Sequence, residues 1–331
     1  MTLPADRVLD RTGHEHPTDE LADMWPLGGW MALERVPGGK NEHLRLFTGD
    51  GVHYLRRSYR SKPREELVAQ LTLMRLLRSR GFPAPEIVPA RTGADHVEIA
   101  GRLWIATRAV EGTPFDDGSP AHLRALGRTL GWYHRVVADQ PAAAREPILL
   151  AELRRRVDGG DLEPGLHARA ARVVERLTAL LPDLPRVTVH GGARRSSLIF
   201  DGEQVAGVLD FDSAHPDVRV LDLAVAVHDV GKVYTHLGKA DHKVALDLDR
   251  VADMLGAYGR EVRPTTAEIT ALPLLLEAKR LKRSLGRRLR VVHGEALSEN
   301  DHAKIRLEDS RLAWLDEHRD AVATVCHEVL T

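Results

Sequence analysis

The segment VTVHGGARRSSLIFDGEQVAGVLDFDSAHPDVRVLDLAVA, residues 187–226, decides the fold. A short apolar run ends at His190 and is followed by two glycines, which predicts a strand and a tight loop. Alternating apolar residues on both sides of the turn DGEQ predict a β-hairpin that ends on the acidic triplet DFD. From about Val220 onward, the pattern predicts a mostly helical region.

The part of the chain before this segment has a different pattern. Alternating apolar residues from Trp25 to Arg57, separated by the turns PGGKNE and GDG, predict three antiparallel strands. A helix is predicted to open at Pro63, and two further strands are predicted to flank Gly101. The segment EGTPFDDGSP, residues 111–120, interrupts the strand pattern with glycines and prolines and predicts a boundary between two lobes.

The composition limits the classes of protein and partner. The chain has 331 residues, a single cysteine (Cys326) and a formal net charge of -1. This length supports a large core without disulfides or metal, and the charge gives no general attraction to nucleic acid or anionic membrane. No apolar run reaches the length needed to span a bilayer. We therefore expect a protein of a reducing, cytoplasmic compartment that has neither a membrane nor a nucleic-acid partner.

The deciding segment resembles the active-site signature of the aminoglycoside-phosphotransferase and choline-kinase family. In that signature, HGDxxxxN precedes a hairpin that ends in IDFD and a helix that begins with DLA. Here His190 and Gly191 fill the first two positions, Asp210 begins the metal-binding turn, and Asp222 matches the DLA aspartate. The resemblance implies a catalytic loop at residues 190–197, ATP with magnesium, and Asp210 as a metal ligand.

The resemblance also implies an α+β fold of the bilobal, protein-kinase-like type. An N-lobe with an antiparallel sheet and one helix is expected over residues 21–112, and a mostly helical C-lobe over residues 113–331, after an extension of residues 1–20. The cleft between the lobes is expected to hold a small-molecule or peptide substrate. The expected nucleotide contacts of the N-lobe are the turn at Gly38, Gly39 and Asn41, the strand residues Arg56 and Arg57, and the lobe connection at Thr107 and Ala109.

Several positions depart from the family pattern. Gly192 stands where the family has its catalytic Asp, and loss of a general base typically costs about two to four orders of magnitude in rate. Ser197 replaces a metal-binding Asn and is a weaker oxygen donor. On the strand, Arg56 or Arg57 replaces a lysine, and Gln70 stands where the glutamate partner of that lysine is expected.

Other side chains of the loop admit two interpretations. Arg194 and Arg195 either bind a phosphate, a phosphorylated ligand or a carboxylate, or they project into solvent. Asp212 is either a second metal ligand or a relocated base. His190 occupies a catalytic-loop position but is expected mainly to hold the loop by hydrogen bonds.

These observations leave two functions open. The first is a degenerate or repurposed kinase that binds a nucleotide, a phosphate or a phosphorylated ligand, and that acts with a protein partner in a biosynthetic pathway. The second is an active ATP-dependent phosphotransferase of a small hydroxylated molecule, such as an aminoglycoside-like antibiotic. In that case Asp212 or a substrate group would act in place of the missing base.

Two further motifs suggest other classes of function. HDVGK, from His228 to Lys232, resembles the metal-binding pair of HD-type phosphohydrolases, although the strand pattern of the N-terminal half does not fit the helical bundle of that family. The basic segment AKRLKRSLGRRLR is expected to form a solvated helix face, offset by acidic residues nearby. The alternative is a surface that binds an acidic substrate or peptide.

Overall fold

A computed structural model describes residues 21, 23–37, 41–59, 61–140, 146–160, 163–235, 243–292 and 294–331 of the chain. The expected extension of residues 1–20 lies outside the described residues, and so do Gly38 and Gly39. The chain divides into two units after Thr113, one residue beyond the boundary expected from the sequence, and residues 206–209 group with the first unit.

The first unit is built on an antiparallel sheet, as predicted. Its strands are β1 (Trp30–Val36), β2 (Glu42–Thr48), β3 (Gly51–Arg57), β4 (Ile87–Val88), β5 (Val97–Ile99) and β6 (Arg102–Arg108). They follow the order β1-β2-β3-β6-β4, with β5 paired to β6. The sheet buries a core that includes Trp25, Leu46 and Trp104, which explains the alternation of apolar residues. Helix α1 (Arg64–Ser79) follows β3 in the chain and buries the apolar positions whose spacing predicted it.

The second unit is mostly helical, also as predicted. Its helices are α2 (Pro120–Val137), α3 (Ile148–Asp158), α4 (Pro164–Leu180), α5 (Val220–Gly231), α6 (Leu248–Gly259), α7 (Thr266–Val292), α8 (Glu299–Glu317) and α9 (Arg319–Leu330). The remaining strands are β7 (Thr113–Pro114), β8 (Arg186–Val189), β9 (Leu198–Asp201), β10 (Gln204–Val208), β11 (His215–Val218), β12 (Lys232–Thr235) and β13 (Lys243–Leu246). The division of the units falls within β7 and within β10. The predicted hairpin consists of β9 and β10, while β11 pairs with β8 and β12 with β13.

Helix α5 lies in the core of the second unit. All of its residues except His228 are buried, because α6 and α7 pack against it. A helix that is apolar on nearly every side belongs inside a domain. It nevertheless carries Asp222 and Asp229 into buried positions, where each carboxylate requires partners. None of the helices in the described ranges is both long and apolar enough to cross a bilayer.

Candidate active site

The loop after β8 is held at its start by a buried carboxylate. The backbone N–H groups of His190 and Gly191 donate to the Asp222 carboxylate, at 2.7 and 2.8 Å. Asp222 lies in the first turn of α5 and is fully buried. The N-terminal end of a helix favours negative charge, which adds to these two bonds. The aspartate that matches the DLA position of the signature therefore anchors the loop.

The other side of Asp222 meets a hydrogen-bonded chain of side chains. His134 of α2 lies 3.2 Å from the Asp222 carboxylate through Nε2, and 2.9 Å from the Tyr258 hydroxyl through Nδ1. Burial opposes ionisation of Asp222, but the hydrogen bond and charge of His134 outweigh it, so the pKa of Asp222 is lowered. An ionised carboxylate with partners on both sides therefore fixes the start of the loop. Sequence reasoning missed His134 and Tyr258, since neither lies in a recognisable motif.

The two glycines of the loop have different roles. Gly191 has a φ of 72°, and a Cβ atom there would lie 2.2 Å from the Ser213 carbonyl oxygen, so the backbone requires glycine. At Gly192, the nearest neighbour of a Cβ atom would be the His190 Nδ1 atom at 3.7 Å, an ordinary contact distance. The fold therefore does not require glycine at position 192, and a residue with a carboxylate would fit there.

Two hydrogen bonds close the loop on itself. The Gly192 N–H group donates to His190 Nδ1 at 3.2 Å, and the Ser197 hydroxyl donates to the Gly192 carbonyl oxygen at 3.0 Å. Both side chains are buried, and the His190 ring centroid lies 4.8 Å from that of Phe211. His190 thus supports the loop, and a direct part for it in catalysis stays a prediction. Ser197 uses its hydroxyl hydrogen for loop closure, which leaves only the oxygen lone pairs for a ligand.

Asp210 has a backbone conformation that is uncommon for a residue with a side chain. Its φ of 64° and ψ of 56° lie in the left-handed region, which a residue with a Cβ atom adopts at a cost of about 1–2 kcal/mol. Its side chain is exposed, whereas Phe211, the next residue, is buried and begins a short 3₁₀ turn that also contains Asp212. The exposed side chain takes little part in packing, so packing does not account for this conformation, and the role of Asp210 as a metal ligand stays a prediction.

Arg195 is engaged within the protein and does not simply project into solvent, and its expected contact with a phosphate or carboxylate stays a prediction. Its backbone N–H and its Nε atom donate to the Asp229 carboxylate, at 2.9 and 3.2 Å, and its guanidinium also pairs with Asp117. Arg194 is exposed. Of the two loop arginines, Arg194 therefore has the side chain that is open to a ligand.

A lysine of α7 also belongs to this region. Burial, followed by the positive charges of Arg280, Arg283 and Arg194, lowers the pKa of Lys279 to about 7. Its interaction with Arg194 relates α7 to the loop, although the two residues lie far apart in sequence. Sequence reasoning grouped Lys279 with a basic helix segment and had no signal for its position.

The HDVGK motif does not form a metal pair. His228 lies 3.0 Å from the Arg280 guanidinium, whereas Asp229 accepts hydrogen bonds from Arg195 and, at 2.6 Å, from Lys232. The two side chains are thus engaged by different cations. In the described part of the chain, no group of three or more His, Cys, Asp and Glu side chains is placed to hold a metal ion.

The basic segment of α7 is not a uniformly solvated face, which corrects the expectation from sequence. Arg280 is 2% exposed and lies 3.3 Å from Glu308 of α8. Arg290, near the end of the same helix, is partly exposed and pairs with Glu295 at 2.7 Å. The inner positions of this segment therefore contribute buried positive charge to the second unit.

Several expected nucleotide contacts of the first unit have partners inside that unit. The Asn41 side-chain oxygen accepts a hydrogen bond from the Tyr59 N–H group at 3.0 Å. Arg57 pairs with Glu42, and Arg56 is buried. These contacts give the three residues a structural role, and their proposed contact with a nucleotide stays a prediction.

The remaining positions of the first unit are also occupied in the sheet and its helix. Gln70 of α1 accepts a hydrogen bond from the Lys62 ammonium at 2.7 Å, a partner that the sequence interpretation did not consider. Thr107 lies within β6, and the Ala109 N–H group donates to the Val52 carbonyl oxygen at 2.9 Å. The contact of Thr107 and Ala109 with adenine likewise stays a prediction.

The donor set suits a metal that arrives with a nucleotide. Mg²⁺ in phosphoryl-transfer sites takes one or two protein carboxylates together with phosphate oxygens and water. Asp210 offers an exposed carboxylate, Asp212 follows in the same turn, and Ser197 has a partly engaged hydroxyl oxygen. These residues fit a metal ion that is also bound by the phosphate oxygens of a nucleotide, and they are too few to hold a metal ion without it.

An antiparallel-sheet unit followed by a helical unit with this loop defines a phosphotransferase of the kinase-like fold. The comparison with known families agrees with this class. The chain belongs to the phosphotransferase enzyme family, whose model matches residues 32–253.

The chain is also similar to individual curated proteins and solved structures. It is 28% identical over 316 residues to the homoserine kinase of Methylobacterium radiotolerans. The alignment covers 91% of this chain and 94% of that protein. It is 27% identical over 269 residues to the homoserine kinase of a Bradyrhizobium species, and that alignment covers 78% of this chain and 79% of the Bradyrhizobium protein. The structure of the microcompartment-associated aminopropanol kinase matches with a TM-score of 0.69 at 17% identity, and covers 92% of this chain and 97% of that one. Amicoumacin kinase in complex with AMP-PNP, Ca²⁺ and Ami matches with a TM-score of 0.65 at 15% identity, with 92% of each chain covered.

Proposed function

We propose that this chain is an ATP-dependent phosphotransferase that acts on the hydroxyl group of a small metabolite, of the amino-acid or amino-alcohol type. The observation that carries the proposal is the strained, left-handed Asp210, whose side chain is exposed next to the buried Phe211. A conformation that costs free energy is retained where the side chain is needed. The names of the similar proteins, homoserine kinase and aminopropanol kinase, favour this acceptor class.

The residues of the loop have distinct tasks in this reaction. Bound magnesium neutralises charge on the phosphates during transfer. Asp210 would hold that metal, and Asp222 and His190 would keep the loop in a fixed shape through their hydrogen bonds. Phosphoryl transfer depends mainly on such positioning and electrostatics, since its transition state is loose.

The missing carboxylate at position 192 predicts a slow enzyme and not necessarily an inactive one. Without it, the proton of the attacking hydroxyl must pass to a phosphate oxygen, to water or to another base such as Asp212. A general base contributes about two to four orders of magnitude, so turnover is expected to fall by that amount relative to a kinase that has the carboxylate.

A second candidate is a protein that binds nucleotide or a phosphorylated ligand without transferring phosphate. The specific observation in its favour is that Gly192 and Ser197 both depart from the catalytic pattern while two hydrogen bonds still close their loop. Such a loop could hold a ligand without chemistry.

A transfer assay on the full chain separates the two candidates. The purified protein is incubated with ATP and MgCl₂ and with L-homoserine, 1-amino-2-propanol or an aminoglycoside in turn, and phosphate esters are detected by ³¹P NMR. We expect an ester with one of the first two acceptors, its loss in Asp210→Asn, and its retention in the control Asp201→Asn, which changes an exposed aspartate of β9.

The other outcomes are equally informative. Magnesium-dependent ATP binding by calorimetry, without an ester from any acceptor, would favour the binding protein. No ATP binding at all would contradict both candidates.

A further inference from the structure

Three cationic side chains of the second unit lie beside the loop at residues 190–197. Arg194 belongs to the loop itself, and Lys279 and Arg283 lie one turn apart on α7. Residues four positions apart on a helix are neighbours on its surface. These three side chains form a cationic cluster to which the reaction described above assigns no task.

Direct contacts connect the loop to α7 through helix α5. The backbone N–H group of Arg195 donates to the Asp229 carboxylate of α5 at 2.9 Å. His228, the residue before Asp229, lies 3.0 Å from the Arg280 guanidinium of α7. Two neighbouring residues of α5 therefore bring the loop close to the segment of α7 that carries the cluster.

The electrostatics of the cluster agree with this placement. Burial is the largest cause of the lowered pKa of Lys279 and of Arg283, and the positive charge of Arg194 adds to it in both cases. Asp222 opposes the shift of Lys279, but it is the smallest cause and its carboxylate is fully buried. Like charges thus lie close enough to oppose one another.

Little negative charge is available to balance the cluster. Within the described residues, neither the Arg194 guanidinium nor the Lys279 ammonium has a carboxylate or another acceptor at hydrogen-bond distance. Arg283 lies 3.9 Å from Glu308, but that carboxylate lies closer to Arg311, at 2.8 Å. An added anion would therefore relieve the repulsion among these cations.

The cluster is also accessible from solvent. Arg194 is exposed, the Arg283 side chain is 43% exposed, and Lys279 is partly exposed. A guanidinium group pairs with a carboxylate through two parallel N–H···O bonds, and an ammonium group adds a further donor and a point charge. The cluster therefore has the donors that recognise a carboxylate.

We propose that Arg194, Lys279 and Arg283 bind a carboxylate of the acceptor, so that the acceptor is a hydroxylated amino acid and not an amino alcohol. The inference rests on the proposed function, because it assigns the cluster to the same reaction. Arg194 lies two residues after Gly192, the position where the family has its catalytic carboxylate. A carboxylate bound beside the loop holds the hydroxyl of a short acceptor near that position and orients it for transfer.

Two isosteric acceptors test the assignment on the full chain with ATP and MgCl₂. L-homoserine carries a carboxylate where L-homoserine amide carries a neutral carboxamide. We expect kcat/KM to be at least about tenfold higher for L-homoserine, mainly through KM, because only the carboxylate gains charge-assisted bonds. The compound sn-glycerol 3-phosphate offers a phosphate in place of the carboxylate and should be a poorer acceptor than L-homoserine.

Substitutions of the two arginines test which side chains bind the carboxylate. Arg194→Met and Arg283→Met should each raise KM for L-homoserine by at least about tenfold, and should raise KM for the amide much less. Both side chains are exposed and methionine keeps much of their apolar length, so both variants should fold. Lys282→Met is the matched control. Lys282 lies on the same helix but pairs with Glu152 at 2.7 Å, so its loss should change neither KM.

Binding measurements without nucleotide separate this inference from the proposed function. By calorimetry, L-homoserine should bind more tightly than its amide. The pKa of Lys279, followed by its ¹³Cε NMR signal, should rise when L-homoserine is added, since a nearby anion favours the ammonium form.

Each outcome bears on one of the two proposals. Equal kcat/KM for the acid and the amide, or an equal effect of Arg194→Met on both, would overturn the inference and leave the proposed function intact. Tighter binding of L-homoserine without an ester from any acceptor would overturn the proposed function and support the carboxylate site. A preference for sn-glycerol 3-phosphate would overturn the assignment of a carboxylate.

Discussion

Asp222 and Asp229 lie two turns apart on one face of α5, and their carboxylates hold the two ends of the loop at residues 190–195. Asp222 accepts the N–H groups of His190 and Gly191, and Asp229 accepts that of Arg195. Residues seven positions apart in a helix lie on nearly the same face, separated by a rise of about 10.5 Å. One helix can therefore bind both ends of a short loop. Asp229, the only acidic residue of the HDVGK motif, thus has a structural role that involves no metal.

Replacement of Asp229 by Asn should loosen the far end of the loop. Burial opposes ionisation of Asp229, but Lys232 and Arg195 outweigh it and lower its pKa. The stability that this ionised group contributes is therefore present above the ordinary aspartate range and is lost as the pH falls through the lowered pKa. We expect Asp229→Asn to lower the free energy of unfolding by about 1–3 kcal/mol at pH 7, and by less at pH 3, in urea titrations. Asp201→Asn is the control, and an equal loss at both pH values would contradict the prediction.

The adjacent glycines of the loop provide a matched pair of substitutions. Gly192→Asp should fold, since its Cβ atom meets only ordinary contacts, and should raise the rate of phosphoryl transfer by about two to four orders of magnitude. Gly191→Asp should destabilise the chain, because its Cβ atom would lie 2.2 Å from the Ser213 carbonyl oxygen. Kinetics with the acceptor found for the wild type, and thermal unfolding of both variants, measure the two effects. A folded Gly192→Asp variant with unchanged turnover would mean that another group already acts as the base.

The fold and the outline of the loop could be predicted from sequence because both depend on local patterns. Alternating apolar residues determined the strands of the first unit, and the resemblance of residues 187–226 to a family signature indicated the loop, its turn and its helix. The partners of the loop could not be predicted, since the contacts of Asp229 with Arg195 and of Asp222 with His134 join residues that are 34 and 88 positions apart. Likewise, Arg280 was expected on a solvated face because its neighbours in sequence are basic. Its burial depends on Glu308, which lies on a different helix.

Substitutions at Asp210 should affect stability and metal binding in different ways. The left-handed backbone favours glycine, so Asp210→Gly should be more stable than Asp210→Ala by about 1 kcal/mol, since alanine keeps the steric cost and gains no local hydrogen bond. Both variants should lose magnesium-dependent ATP binding, because neither has a carboxylate. Denaturant titrations and calorimetry measure the two properties. Retention of metal-dependent binding in Asp210→Gly would exclude Asp210 as the metal ligand.

Lys279 should make the stability of the chain depend on pH near neutrality. In the unfolded chain a lysine keeps its proton up to about pH 10.4, whereas burial and the charges of Arg280, Arg283 and Arg194 lower the pKa of Lys279 to about 7 in the folded chain. The unfolded state therefore binds more protons between these values, and stability rises with pH across that interval. The cost of charging Lys279 is fully present below about pH 7, so Lys279→Met should be more stable than the wild type at pH 6. That advantage should shrink steadily toward pH 10.

The control Lys304→Met changes an exposed lysine of α8 and should give a difference that does not vary with pH. A constant difference for Lys279→Met would show that its ammonium is solvated, and that Arg194 does not share its environment.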